Sequence, residues 1–153
     1  MKKSNRRAFI TKGAAVAGVA AAATDTHAQS TSTSTKKVWW TNGKKPVDQQ
    51  LFSPAVSYGN LLFLSGVGYH KEGDIKVHTK GVLDEIQQKL EAAGSSMEKV
   101  LKAQVYLADL KDYAAMNEVF KGRFGTDPPV RTTVSVAGVP GNSLVEIDVI
   151  AYI

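Results

Sequence analysis

Leu144-Val145-Glu146-Ile147-Asp148-Val149-Ile150-Ala151-Tyr152-Ile153 is a strand written in alternation. Val145, Ile147, Val149, Ala151 and Ile153 fall on one side, where helices should cover them. Leu144, Glu146, Asp148, Ile150 and Tyr152 fall on the other side, mixing large apolar groups with acids. That second side reads either as an amphipathic outer face or as a sheet face buried against other subunits, with polar pockets in the interface. Left bare on a small monomer, Leu144, Ile150 and Tyr152 would make a sizeable apolar patch.

Working upstream, Pro140-Gly141-Asn142 is a turn, and Pro128-Pro129 forbids helix and sets up a strand over 130–137. Before it, the period changes to that of a helix. Tyr113, Met116, Phe120 and Phe124 share one face of a helix over about 111–124, with Asp109 or a neighbour as cap and Gly125 as its end. Val100 to Leu107 reads as a strand. Val82, Leu83, Ile86, Leu90 and Ala93 define a first helix over about 79–93, capped near Thr79 and closed by Gly94. Ala55–Tyr58 and Leu61–Gly66 flank Gly59-Asn60 as a hairpin, and Lys37–Thr41 is a short strand before the Asn42-Gly43 turn. The order β-β-β-α-β-α-β-β predicts an α+β two-layer sandwich, a mixed sheet with both helices on one face.

The first 28 residues read as a leader. A basic stretch with Arg6-Arg7-Ala8-Phe9 precedes an apolar run from Gly13 to Ala23 and the small-x-small site Thr26-His27-Ala28. The paired arginines resemble a twin-arginine-type export signal, which places the mature chain in the periplasm. The run has eleven residues, whereas crossing a hydrocarbon core of about 30 Å takes about 20; no membrane attachment is expected after processing. The alternative is an amphipathic or disordered tail. Residues 29–36, with their Ser/Thr repeat, read as a tether, and 37–153 as one domain. The chain has 19 basic and 14 acidic residues. The leader holds five of the bases and one of the acids, which leaves the rest near +1. The basic balance therefore belongs to the leader and gives no reason to expect a nucleic-acid partner. There is no cysteine, so disulfides, thiolate metal sites and cysteine nucleophiles are excluded. The histidines show no metal-binding spacing, and no metal is expected.

Two charges stand where ordinary strands do not need them. Arg131 can hold a carboxylate by two parallel hydrogen bonds, or it is a surface ion pair beside the Pro-Pro loop. Glu146 can move a proton to or from a water on a partly apolar face, or it is one half of a salt bridge across the sheet.

From about Phe52 to Ile153 the chain resembles the Rid/YjgF family of reactive-intermediate (enamine/imine) deaminases. The resemblance rests on six blocks in the family's order: Phe52–Val56 with Gly59–Gly66, Ala92–Ser96, Val105–Leu110, Met116–Phe120, Pro129–Val134 and Val145–Ala151. It implies a chorismate-mutase-like fold and a homotrimer whose sheets form a central barrel, with pockets between subunits. It implies hydrolysis of 2-aminoacrylate-type enamines and imines to 2-keto acids and ammonia, with no cofactor. Carried over residue by residue, Arg131 matches the carboxylate-binding arginine and Glu146 the water-activating acid. Ser65 and Gly66 match the Ser-Gly that lines the pocket, and Asn117 the helix asparagine. Thr133 stands where well-known members have cysteine. In two respects the chain departs from the archetype. The segment from Pro54 to Gly59 is shorter, with Ala55 in place of the pocket tyrosine; either Phe52 or Tyr58 replaces part of that wall, or the pocket is larger. An export signal is also unusual. The alternative function is a non-catalytic binder of small carboxylates or keto acids; a nucleolytic activity is disfavoured by the near-neutral charge.

Overall fold

A computed structural model describes residues 34–153. The leader and most of the Ser/Thr tether lie outside them. Eight main elements follow the predicted order: β1 (Lys36–Trp39), β2 (Ala55–Tyr58), β3 (Leu61–Gly68), α1 (Ile75–Ala92), β4 (Val100–Leu107), α2 (Tyr113–Phe120), β5 (Val130–Ser135) and β6 (Val145–Tyr152). Lys36, expected in the tether, is already paired with Tyr58.

The six strands form one sheet in the order β1-β2-β3-β6-β4-β5. β2 and β3 are the expected hairpin, antiparallel from Ala55↔Leu64 to Tyr58↔Leu61. β6 pairs antiparallel with both β3 and β4. It therefore fills the gap in a split β-α-β unit made by β3, α1 and β4. β5 lies outside β4 and parallel to it, reached through α2.

The alternation of β6 is realised. Val145, Ile147, Val149 and Ala151 are buried to within 1% of full exclusion and pack under the helices. Leu62, Leu64, Ala103, Val105 and Leu107 join them from the flanking strands, and Leu83, Ile86, Leu90 and Met116 close the layer from the helices. Each such aliphatic side chain contributes roughly 1.5–3 kcal/mol by leaving water. Ile153 does not belong to this set. It lies past the strand end at 36% exposure, its N–H donating to the Asn60 carbonyl.

The helix boundaries differ from the expected ones for local reasons. α1 starts four residues early because Asp74, not Thr79, is the cap: its carboxylate accepts from the Val77 N–H at 3.0 Å. Thr79 is inside the helix, its hydroxyl donating to the Ile75 carbonyl at 2.6 Å. Asp109 caps a short 3-10 turn, Leu110–Asp112, that leads into α2. α2 stops at Phe120, and Gly122 follows with φ +79°, so Phe124 reaches the core from a turn and packs on Phe120 at 4.8 Å between ring centroids.

Candidate functional site

β5 sits at the sheet edge with Arg131 opposite Ala103 and Thr133 opposite Val105. Ala103 and Val105 are fully buried beneath the helices. In-register neighbours share a face, so Arg131 and Thr133 also point to the helix side. There the guanidinium lies over the Phe120 ring at 4.6 Å and near the Tyr113 ring at 5.8 Å. Nη2 of Arg131 donates to the Tyr113 hydroxyl at 3.4 Å. Asn117 lies between those rings on the same side of α2 by helical spacing. Among the described residues no carboxylate pairs with Arg131, so the surface ion pair is not formed. The Thr133 Oγ1 is buried with no hydrogen-bond partner.

Glu146 belongs to the opposite face. It stands opposite Gly68 on β3 and Tyr106 on β4. The β3–β6 ladder jumps from Leu64↔Val149 to Val67↔Ile147, leaving Ser65 and Gly66 as a bulge against Asp148. The bulge carries Gly66 so close to Glu146 that a Cβ there would lie 2.2 Å from Oε1; only glycine leaves the carboxylate its place. Ser65 is fixed from behind, its N–H and hydroxyl both donating to the Pro54 carbonyl at 3.1 Å. That leaves the Ser65 oxygen free to accept. Among the described residues Glu146 makes no salt bridge, so the cross-sheet pair is not formed either.

A cavity of about 220 Å³ opens beside Glu146, walled by Tyr106, Asp148 and the turn residues Val136, Gly138, Val139 and Pro140. The Tyr106 hydroxyl accepts from Gln104 Nε2 at 2.7 Å. Burial, and then the negative charge of Asp148, hold the Tyr106 phenol above its ordinary pKa. It is a neutral hydroxyl beside two carboxyl groups.

A larger groove of about 1280 Å³ lies at the other edge, between Lys37–Gly43 and α1. It holds none of the predicted site residues. Two of its lysines are already neutralised, Lys80 by Asp84 and Lys89 by Glu85 at 2.8 Å.

The predicted residues thus form two clusters, Arg131/Thr133/Asn117 under the helices and Glu146/Ser65/Gly66 on the open face. Arg131 and Glu146 do not meet within one chain: they face opposite sides, with β4 between their strands. One expectation is corrected. Ala55 is no pocket wall; it is 4% exposed in the core, paired with Leu64. Phe52 and Tyr58, its expected substitutes, are 69% and 59% exposed. Tyr113 adjoins the first cluster, and Tyr106 and Asp148 the second; the sequence alone did not place them there.

Residues 42–153 match the family model described as Endoribonuclease L-PSP. The chain belongs to that family, also called Rid/YjgF. A RutC family protein of Pyrococcus horikoshii is 42% identical over 118 residues, covering 72% of this chain and 92% of that protein. The Reactive Intermediate Deaminase A of Arabidopsis thaliana chloroplasts is 34% identical over 125 residues, covering 77% of this chain and 67% of that protein. Among solved structures, RidA from the Antarctic bacterium Psychrobacter superposes with TM-score 0.68 at 35% identity, over 76% of this chain and all of that one. The Rid protein YyfA from Yersinia pestis gives TM-score 0.71 at 30% identity, over 78% and 100%. The mixed sheet with two helices is the chorismate-mutase-like fold of the Rid/YjgF family.

Proposed function

We propose that this protein hydrolyses reactive enamines and imines of the 2-aminoacrylate type to 2-keto acids and ammonia. Arg131 holds the substrate carboxylate. Glu146 positions and deprotonates the attacking water and returns the proton to the departing nitrogen. The observation that carries this reading is a guanidinium without a carboxylate partner among the described residues, propped on the Phe120 and Tyr113 rings, in a family that includes a protein named reactive intermediate deaminase. A guanidinium paired with no carboxylate of the described residues is available to a ligand's carboxylate.

Because Arg131 and Glu146 face opposite sides of one sheet, a site that uses both takes each from a different subunit. The open face supports such an assembly: it exposes Leu61, Phe63, Leu101, Val134 and Tyr152 at 37–46%. A homotrimer with three intersubunit pockets and no cofactor is the assembly we assign. We also assign it to the periplasm, on the leader's twin-arginine pattern. The family model's printed description carries an endoribonuclease activity; the near-neutral charge outside the leader gives no support for that chemistry here.

The separation of Arg131 from Glu146 within one chain favours a second reading, a carboxylate binder that uses Arg131 alone. Adding purified protein to freshly generated 2-aminoacrylate separates the two. Ammonia release above the buffer rate supports the deaminase. Binding of 2-keto acids with no acceleration sinks it and leaves the binder.

A further inference from the structure

The helix side of β5 gathers hydrogen-bond donors without an acceptor to match them. Arg131 presents five N–H groups and has no carboxylate partner among the described residues. Thr133, two residues along the same face, has a buried hydroxyl without a partner. Tyr113 is the third member. Its spacing with Met116 and Phe120 would make it a core residue, yet it is 43% exposed while they are buried. Its oxygen instead accepts from Arg131 Nη2 at 3.4 Å. With that lone pair engaged by a cation, the phenol's own proton is left over, and it finds no acceptor among the described residues. A hydroxyl that accepts from a cation becomes a stronger donor.

We propose that Tyr113 is a specificity-determining residue, whose hydroxyl donates to the acceptor atom on C2 of a ligand whose carboxylate is held by Arg131. The site then selects 2-oxo and 2-imino acids over plain carboxylates of the same size. Phenylalanine at this position would keep the ring beside the guanidinium and lose the selection. This inference rests on the Arg131 anchor of the proposed function.

Calorimetric titration of the purified protein with pyruvate and propionate tests it. Pyruvate and propionate match in size and differ at C2. The wild type should bind pyruvate more tightly than propionate. Tyr113→Phe should weaken pyruvate about tenfold, the size of one hydrogen bond in a charged setting. Propionate affinity and melting temperature should be unchanged, a split that a merely structural role for Tyr113 would not give. Arg131→Ala should lose both ligands. If Tyr113→Phe weakens both ligands equally or neither, the assignment of Tyr113 is overturned while an Arg131→Ala loss keeps the anchor. If Arg131→Ala binds as the wild type does, the anchor fails and takes the inference with it.

Discussion

Ile147 and Ile150 stand three residues apart on one strand and face opposite ways. Ile147 is fully buried under the helices. Ile150 is half-buried beside Phe63, which is 37% exposed; next to them Tyr152 pairs with Leu61. Away from the β5 edge, one face of the sheet is thus completed by its own chain, with mostly apolar groups. The other carries apolar groups of the same size, left partly wet and interspersed with Glu146, Asp148 and Tyr106. A face that only folds the chain has no use for carboxylates, and a face meant for water has no use for Phe63 and Ile150 side by side. The contrast separates what holds the fold from what is offered to another subunit; the ligand's anchor, Arg131, lies at the β5 edge of the covered face.

The sharpest way to break this contrast is chemical. Arg131→Ala should abolish turnover, and Arg131→Lys should recover little of it, because an ammonium cannot make the two-point contact. Glu146→Gln keeps the shape and should cut turnover by about 10²–10⁴ while carboxylate binding persists. Steady-state rates paired with calorimetry check both; wild-type turnover in Glu146→Gln would remove its role.

Packing gives the next largest effect. Ile147→Ala should cost about 2–5 kcal/mol in chemical denaturation, through a cavity under α1. Ile150→Ser should leave the secondary structure intact and shift light scattering from trimer toward monomer. If Ile150→Ser stays fully trimeric, the open face is not the contact.

Gly66→Ala probes the bulge. The added methyl overlaps the end of the Glu146 side chain and not the backbone, so the fold should lose no more than about 1 kcal/mol. Turnover should fall at least about tenfold as the carboxylate is displaced from its reacting geometry.

Asp84 on α1 supplies the smallest effect. Its pKa is held below the ordinary carboxylate value by the hydrogen bond from Lys80, and by Arg123 at 2.8 Å. A depressed carboxylate contributes stability that is present above its unfolded pKa and lost as pH falls through the folded value. Asp84→Asn should therefore lower stability slightly at pH 7. The difference from wild type should shrink as pH falls below the ordinary carboxylate range and vanish once pH has passed below the depressed folded pKa. The side chain is 39% exposed, so less than about 1 kcal/mol is expected. Urea midpoints across that pH range measure it.

Period carried most of the fold. The two-residue alternation of β6 and the change to helical spacing near Val82 and Met116 gave every main element in order. What escaped was set by particular side chains. Asp74 out-competed Thr79 as a cap, and the left-handed Gly122 ended α2 before Phe124. The site residues were legible one at a time, through the family's blocks. Their grouping was not, because it depends on strand register. Nothing in Val130–Val134 says that Arg131 will lie opposite Ala103 and so turn toward α2. Nothing in Leu61–Gly68 says that a bulge will press Gly66 against Glu146. Ala55 shows the converse: matched to a pocket position by its distance from a proline, it is core because its strand partner is Leu64.

The central claim is that Arg131 of one subunit works with Glu146 of another. Co-expression of Arg131→Ala chains with Glu146→Gln chains tests it directly. Arg131→Ala alone should release no ammonia from 2-aminoacrylate above background, and Glu146→Gln alone no more than about one-hundredth of the wild-type rate. Random assembly of a cyclic trimer from equal amounts should restore intact sites in about one-quarter of positions, and turnover to about that fraction of wild type. Mixed trimers, verified by differently tagged subunits, that are as inactive as the separate variants would contradict the claim.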